Sequence, residues 1–110
     1  MDSILISIKK LLGITEDYEE FDQDIIMHIN SVLSILKQLG VGSTNGFYIE
    51  DDSSTWVDLI GSNTNLELIK SYVYMKVRLM FDPPTSSAVM EAMNKNISEL
   101  EWRIVSEVEK

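Results

Sequence analysis

The 110-residue chain contains no cysteine, so disulfide staples and thiolate metal sites are excluded. Basic residues are scarce: nine Lys and Arg stand against eighteen Asp and Glu, a formal charge of −9. A protein that grips nucleic acid neutralises phosphates with Lys and Arg, so that class is disfavoured. Long apolar runs are missing as well. The unbroken ones are a few residues long, far below the ~20 that a membrane span needs. No internal repeat or low-complexity tract appears. Met1-Asp2-Ser3 places an acidic residue where a secretory leader needs a basic one. The expectation is a chain made in the cytoplasm, in which Asn96-Ile97-Ser98 matches a glycosylation sequon by chance.

Catalytic and metal-binding patterns are equally thin. His28 is the single histidine, and it falls on the polar side of a helical pattern with Asp24 one turn before it and Ser31 nearby. A catalytic histidine needs a nucleophile or carboxylate converging from elsewhere, and none is marked. Gly40, Gly42 and Gly46 lack the Lys and Ser/Thr that must follow the last glycine of a phosphate loop; Phe47 follows instead. Glu50-Asp51-Asp52-Ser53 lacks the alternating oxygens, the central Gly and the distant Glu of a calcium loop, and helix capping explains Asp52 and Ser53 more simply. The expectation is a non-enzyme with no metal and no cofactor.

What is present is helical periodicity. Apolar residues make up 45% of the chain and charged ones 25%, a globular mix sufficient for one domain covering 1–110. A first helix over 3–12 carries Ile4, Leu5, Ile8, Leu11 and Leu12, with Lys9 and Lys10 at the negative end of its dipole. Gly13 stands where a left-handed residue closes a helix, and Ile14 can fold back on the last turn. A second helix is expected from about Asp17, with Glu20 completing a capping box. Its stripe is Phe21, Ile25, Ile29, Val32, Leu36 and Leu39, widened by Ile26 and Leu33, and it ends at Gly40. Turn chemistry then leads into a short extended piece, Phe47-Tyr48-Ile49. The loop 41–52 is expected to be the most mobile internal segment.

A brief helix over 53–60 is expected to bury Trp56, Val57 and Ile60, and Thr64 with Glu67 offers another capping box. The long helix over 65–81 has two adjacent apolar stripes, Leu66/Ile69/Val73/Val77/Met80 and Leu68/Tyr72/Met75/Leu79. Its polar strip (Glu67, Ser71, Tyr74, Arg78) is narrow, so the helix is central in the bundle or covered by a neighbouring subunit. Asp82-Pro83-Pro84 stops it. Thr85, Ser86 and Ser87 can cap a last helix, whose buried side is Val89, Met93, Ile97, Leu100, Ile104 and Val108.

Trp102 lies nearly opposite that buried side at ~100° per residue, among Glu91, Lys95, Ser98 and Ser106. Tryptophan is enriched at interface hot spots, so Trp102 is the leading contact candidate, with Lys95 and Ser98 beside it. Tyr74 and Arg78 in the narrow polar strip, and Phe47 and Tyr48 in the loop, complete the candidate interface set. The fold expected is all-α, a small bundle of four to five helices with one long loop carrying a short extended segment.

Several strings together resemble bacteriophage head–tail connector proteins, small helical adaptors of tailed phages and prophages. They are Leu11-Leu12-Gly13-Ile14, Leu39-Gly40-Val41-Gly42, Trp56 with Asp58, the run from Lys76 to Pro84, and Glu99-Leu100-Glu101-Trp102-Arg103. The resemblance implies a ring of copies of this chain, usually dodecameric, docked beneath the portal protein. Such a ring continues the DNA channel toward a tail-completion or stopper protein, with DNA only as passing cargo and no membrane. It implies a structural virion protein at the head–tail interface. An acidic chain and a doubly apolar helix agree with that. The rival reading is an acidic DNA mimic or regulatory protein-binding module; it needs carboxylates arrayed on one face, and here they are spread over helix starts and both ends of the chain.

Overall fold

In a computed structural model, described over residues 3–41, 46–60 and 66–108, the chain forms a helical bundle. Its helices are α1 (Ile4–Leu11), α2 (Asp22–Gln38), α3 (Trp56–Ile60), α4 (Leu66–Phe81) and α5 (Ser87–Val108). Among the described residues there is no strand, only one antiparallel bridge between Ser3 and Thr55. The all-α expectation holds.

Two helix ends follow from a glycine apiece. At the end of α1, Gly13 adopts φ 82°. That lets its N–H donate to the Lys10 carbonyl at 3.1 Å and the Ile14 N–H reach back to the Lys9 carbonyl at 2.9 Å. At the end of α2, Gly40 adopts φ 97°. There the Gly40 N–H bonds the Lys37 carbonyl and the Val41 N–H bonds the Leu36 carbonyl. Both are Schellman closures, which satisfy carbonyls that a helix end leaves open. Ile14 and Val41 then pack against the core, as the sequence implied for Ile14.

The start of α2 differs from expectation. It begins at Asp22, not Asp17, and Phe21 at its cap position contributes no side-chain bond. The capping box of Asp17 with Glu20 is therefore absent. Residues 15–21 instead make successive turns, with Tyr18 N–H bonded to the Thr15 carbonyl and Asp22 N–H to the Glu19 carbonyl. The cause lies in α1. Lys9 is 2% exposed, and its ammonium donates to the carbonyls of Glu16 at 3.0 Å and Tyr18 at 2.7 Å and pairs with Asp22 Oδ1 at 2.8 Å. A buried ammonium must be fully paired, so these carbonyls serve Lys9 and not an extra helical turn.

The core is built mainly on α2 and α4. Ile25, Ile29, Val32 and Leu36 of α2 meet Ile69, Tyr72, Val73 and Val77 of α4, all buried. α4 packs against α2, α5 and α1 together, which is why its apolar residues extend around so much of its girth. At its far end Met80 is 42% exposed, and beyond the proline turn Val89 is 47% exposed. Val89 is therefore not on the buried side of α5. Both residues flank the α4–α5 turn, at the tip of the hairpin, while Met93, Ile97 and Ile104 are buried further along. Of the three capping candidates Ser86 takes the role, its Oγ accepting from the Val89 N–H.

α3 also begins later than expected. Thr55 and Asp58 form a reciprocal capping box: Asp58 N–H donates to Thr55 Oγ1 at 3.2 Å and Thr55 N–H to Asp58 Oδ2 at 2.9 Å. Asp52 and Ser53 do not cap it. Ser53 is engaged by Asp51, whose carboxylate accepts from both its hydroxyl and its N–H; the hydroxyl bond first, then the N–H, holds the Asp51 carboxyl below its ordinary range. Trp56 and Leu59 are buried, whereas Val57 is 43% exposed. In a helix this short only one face meets the bundle, and Val57 is on the other. The second expected capping box, at Thr64, and loop residues 42–45 lie outside the described residues.

Candidate functional surfaces

The candidate contact residues divide into three groups. Trp102, Lys95 and Ser98 share the outer face of α5, all exposed, with Trp102 at 71%. The rotation of α5 that puts Trp102 outward is fixed from its neighbour in sequence. Glu101 turns toward α4, where its Oε2 accepts a 2.6 Å bond from the buried Tyr72 hydroxyl. Burial, then the bond and charge of Glu101, pushes the Tyr72 phenol far above its usual pKa, so it stays a donor. Beside Trp102, Glu99 and Arg103 pair along the helix surface at 2.7 Å.

The second group lies on α4. Tyr74 is ~200° round the helix from Tyr72, away from the seam with α5. It lines a groove between α1 and α4 with Ser3, Ser7, Lys10, Leu11 and Lys70. Arg78 donates to the Tyr74 hydroxyl at 3.2 Å, and Leu11 leaves 49% of its surface open beside them. Under this groove the Trp56 indole N–H donates to Ser7 Oγ at 3.1 Å, tying α3 to α1.

The third group is the segment 46–53. Tyr48 is 68% exposed, while Phe47 is half-buried against the core. Between them and the helices, Ile49 is 1% exposed. The Asn30 side chain accepts from the Ile49 N–H at 2.7 Å and donates to its carbonyl at 3.0 Å. One amide thus supplies both bonds that a neighbouring strand would. Ile49 is thereby anchored within a loop whose composition predicts mobility, and Val41 and Phe47 also pack against the core.

Sequence reasoning missed Lys9. A signal was present, since Lys9 falls four residues after Leu5 on the apolar face of the first helix. The sequence reading gave it the dipole role that suits Lys10, which is exposed. His28 is half-buried with its ring 6.4 Å from Phe81. Among the described residues no cluster of three or more His, Asp or Glu is poised for a metal ion. No helix there is long and apolar enough to cross a membrane.

Compared with known protein families, residues 4–110 match the phage connector proteins. The chain belongs to that family. No curated protein and no solved structure matches it. As a phage connector protein it has a structural role in joining head to tail, in line with a non-enzyme. The strings that resemble other connectors now have physical meanings. Leu11–Ile14 and Leu39–Val41 are the two Schellman closures; Trp56 and Asp58 are a buried ring and a helix cap; 76–84 is the end of α4 with its proline stop. In the connector's 99–103 string Glu101 faces inward to Tyr72, leaving Trp102 free to face outward.

Proposed function

We propose that this connector is an adaptor subunit, a single domain over 1–110 whose copies close into a ring, dodecameric as the family resemblance implies, between the portal protein and a tail-completion or stopper protein. The ring continues the DNA channel, and DNA passes as cargo. Assembly takes place in the host cytoplasm and the product is a virion component. The observation that carries this reading is Trp102, 71% exposed on a helix whose rotation is locked by the Tyr72–Glu101 bond.

The mechanism is geometric. A ring needs a heterologous interface, one patch on each subunit meeting a different patch on the next. The outer face of α5 and the α1–α4 groove bearing Tyr74 and Arg78 lie on different sides of α4, as such a pair of patches must. A chain of charge −9 suits a channel wall that should not hold DNA. Native mass spectrometry of the chain alone and mixed with its portal protein tests the reading. Rings that form with or on the portal, and fail with Trp102→Ala, are expected. A chain that stays monomeric and never binds portal overturns it.

A further inference from the structure

The connection between α1 and α2 is the most one-sided in charge of the whole chain. No Lys or Arg occurs from residue 11 to 36, and Glu16, Asp17, Glu19, Glu20 and Asp24 are all exposed. The ammonium of Lys9, bonded into this segment, is already committed to Asp22 and two carbonyls. Asp82, at the end of α4, is exposed next to Phe81.

Inside this acidic rim lies a row of rings. Tyr18 is 5.6 Å from Phe21 between centroids, and Phe21 is 5.4 Å from Phe81, whose ring also lies 6.4 Å from that of His28. Tyr18 is 45% and Phe21 41% exposed. The rings are tilted or edge-on to one another, and Tyr18 and Phe21 both leave much of their surface open to a partner. Lys9 holds the carbonyls of residues 16 and 18 and the carboxylate of residue 22, which fixes the backbone on which Tyr18 and Phe21 stand. A partner would therefore meet a surface already ordered, with little further entropy to lose.

We propose that the Tyr18–Phe21–Phe81 row is a docking surface for an arginine-bearing, net-basic segment of a partner protein. A guanidinium lies flat on an aromatic face and still donates in its plane to surrounding carboxylates, a match that this row and rim provide together. Lysine would answer the rim but gain less from the rings. Nucleic acid and anionic lipid are repelled by the carboxylates, and a purely apolar partner would have to desolvate them without return. The proposal does not depend on ring formation; its rings lie apart from Trp102, and of its acidic rim Glu16 also lines the α1–α4 groove.

The test titrates the intact chain with hexa-arginine and with hexa-lysine at physiological salt, followed residue by residue by NMR. Hexa-arginine is expected to bind several-fold tighter, with shifts concentrated at residues 16–24, 28, 81 and 82. Combining Tyr18→Ala with Phe21→Ala leaves the net charge unchanged and should weaken hexa-arginine binding about five- to tenfold, removing the preference over hexa-lysine. Circular dichroism checks that the double variant stays folded. Should it not, Phe21→Leu keeps the apolar volume without the π face and should reduce the preference by itself. Equal affinities for the two peptides, shifts centred on the acids of α5, or binding of a duplex DNA oligonucleotide at the row would each overturn the proposal.

Discussion

The two tryptophans sit in opposite worlds. Trp56 is 2% exposed, with its indole N–H on Ser7 Oγ and the Lys70 ammonium 5.9 Å above its ring. Polar atoms in the interior of the bundle are likewise turned inward: Ser7 takes the Trp56 N–H, Lys9 bonds the carbonyls of Glu16 and Tyr18, and Asn30 bonds Ile49. Trp102 is 71% exposed, and the ion pair beside it, Glu99 with Arg103, runs along its own helix. The difference separates residues that define the fold from residues the fold holds out. In a connector, the second kind is where contact with other proteins is to be sought.

That contrast can be broken by four substitutions, taken from the largest expected loss in the isolated chain to the smallest. Trp56→Ala removes a fully buried aromatic and should cost about 3–5 kcal/mol by denaturant unfolding. Lys9→Met keeps the volume but leaves Asp22 and two carbonyls without their cation. Because Asp22 is still 22% exposed, the expected cost is about 2–3 kcal/mol. Tyr72→Phe deletes the hydrogen bond across the seam between α4 and α5 and should cost about 1–2 kcal/mol at neutral pH, since half-exposed Glu101 can turn to water. Trp102→Ala should cost under about 0.5 kcal/mol in the monomer yet weaken assembly by about 2 kcal/mol or more. A large monomer loss there would place Trp102 with Trp56 and end the contrast.

The Tyr72 variant has a pH signature. The folded phenol is raised above its unfolded value near ~10, so its contribution is complete below that pH and is lost as pH rises toward the folded value. Stability of the native chain should therefore fall on the alkaline side. Chemical denaturation repeated between neutral pH and pH ~11 should give a shallower fall for Tyr72→Phe.

What could be read from the sequence was what local periodicity and glycine chemistry decide. The stripes of α1, α2, α4 and α5, the turns at Gly13 and Gly40, and the outward direction of Trp102 all follow from spacing along one helix. What could not be read depends on bonds between distant residues. Lys9 draws in the carbonyls of 16 and 18, so an acidic, well-capped helix start gives way to turns. Asn30 captures Ile49 across nineteen positions. The choice of Thr55 over Ser53 as a cap follows the Ser3–Thr55 bridge, where the Ile4 N–H bonds the Ser54 carbonyl and sets where the chain may turn. Val57 and Val89 carry the right spacing but stand where no neighbour reaches. Of the candidate contacts, the outward set on α5 came from helical geometry. The aromatic row did not, because the spacing places Phe21 in the buried stripe of a longer α2 and Phe81 belongs to another helix.

Lys9 has a chemical consequence as well. An amine attacks an acylating reagent only after losing its proton and only where the reagent can reach it. Lys10, the next residue, is exposed and should be labelled at once; Lys9, buried with its ammonium bonded to two carbonyls and paired with Asp22, must wait for the α1–α2 connection to open. The lag of one lysine behind its neighbour, read by mass spectrometry, thus times that opening in a chain that has no cysteine to report it.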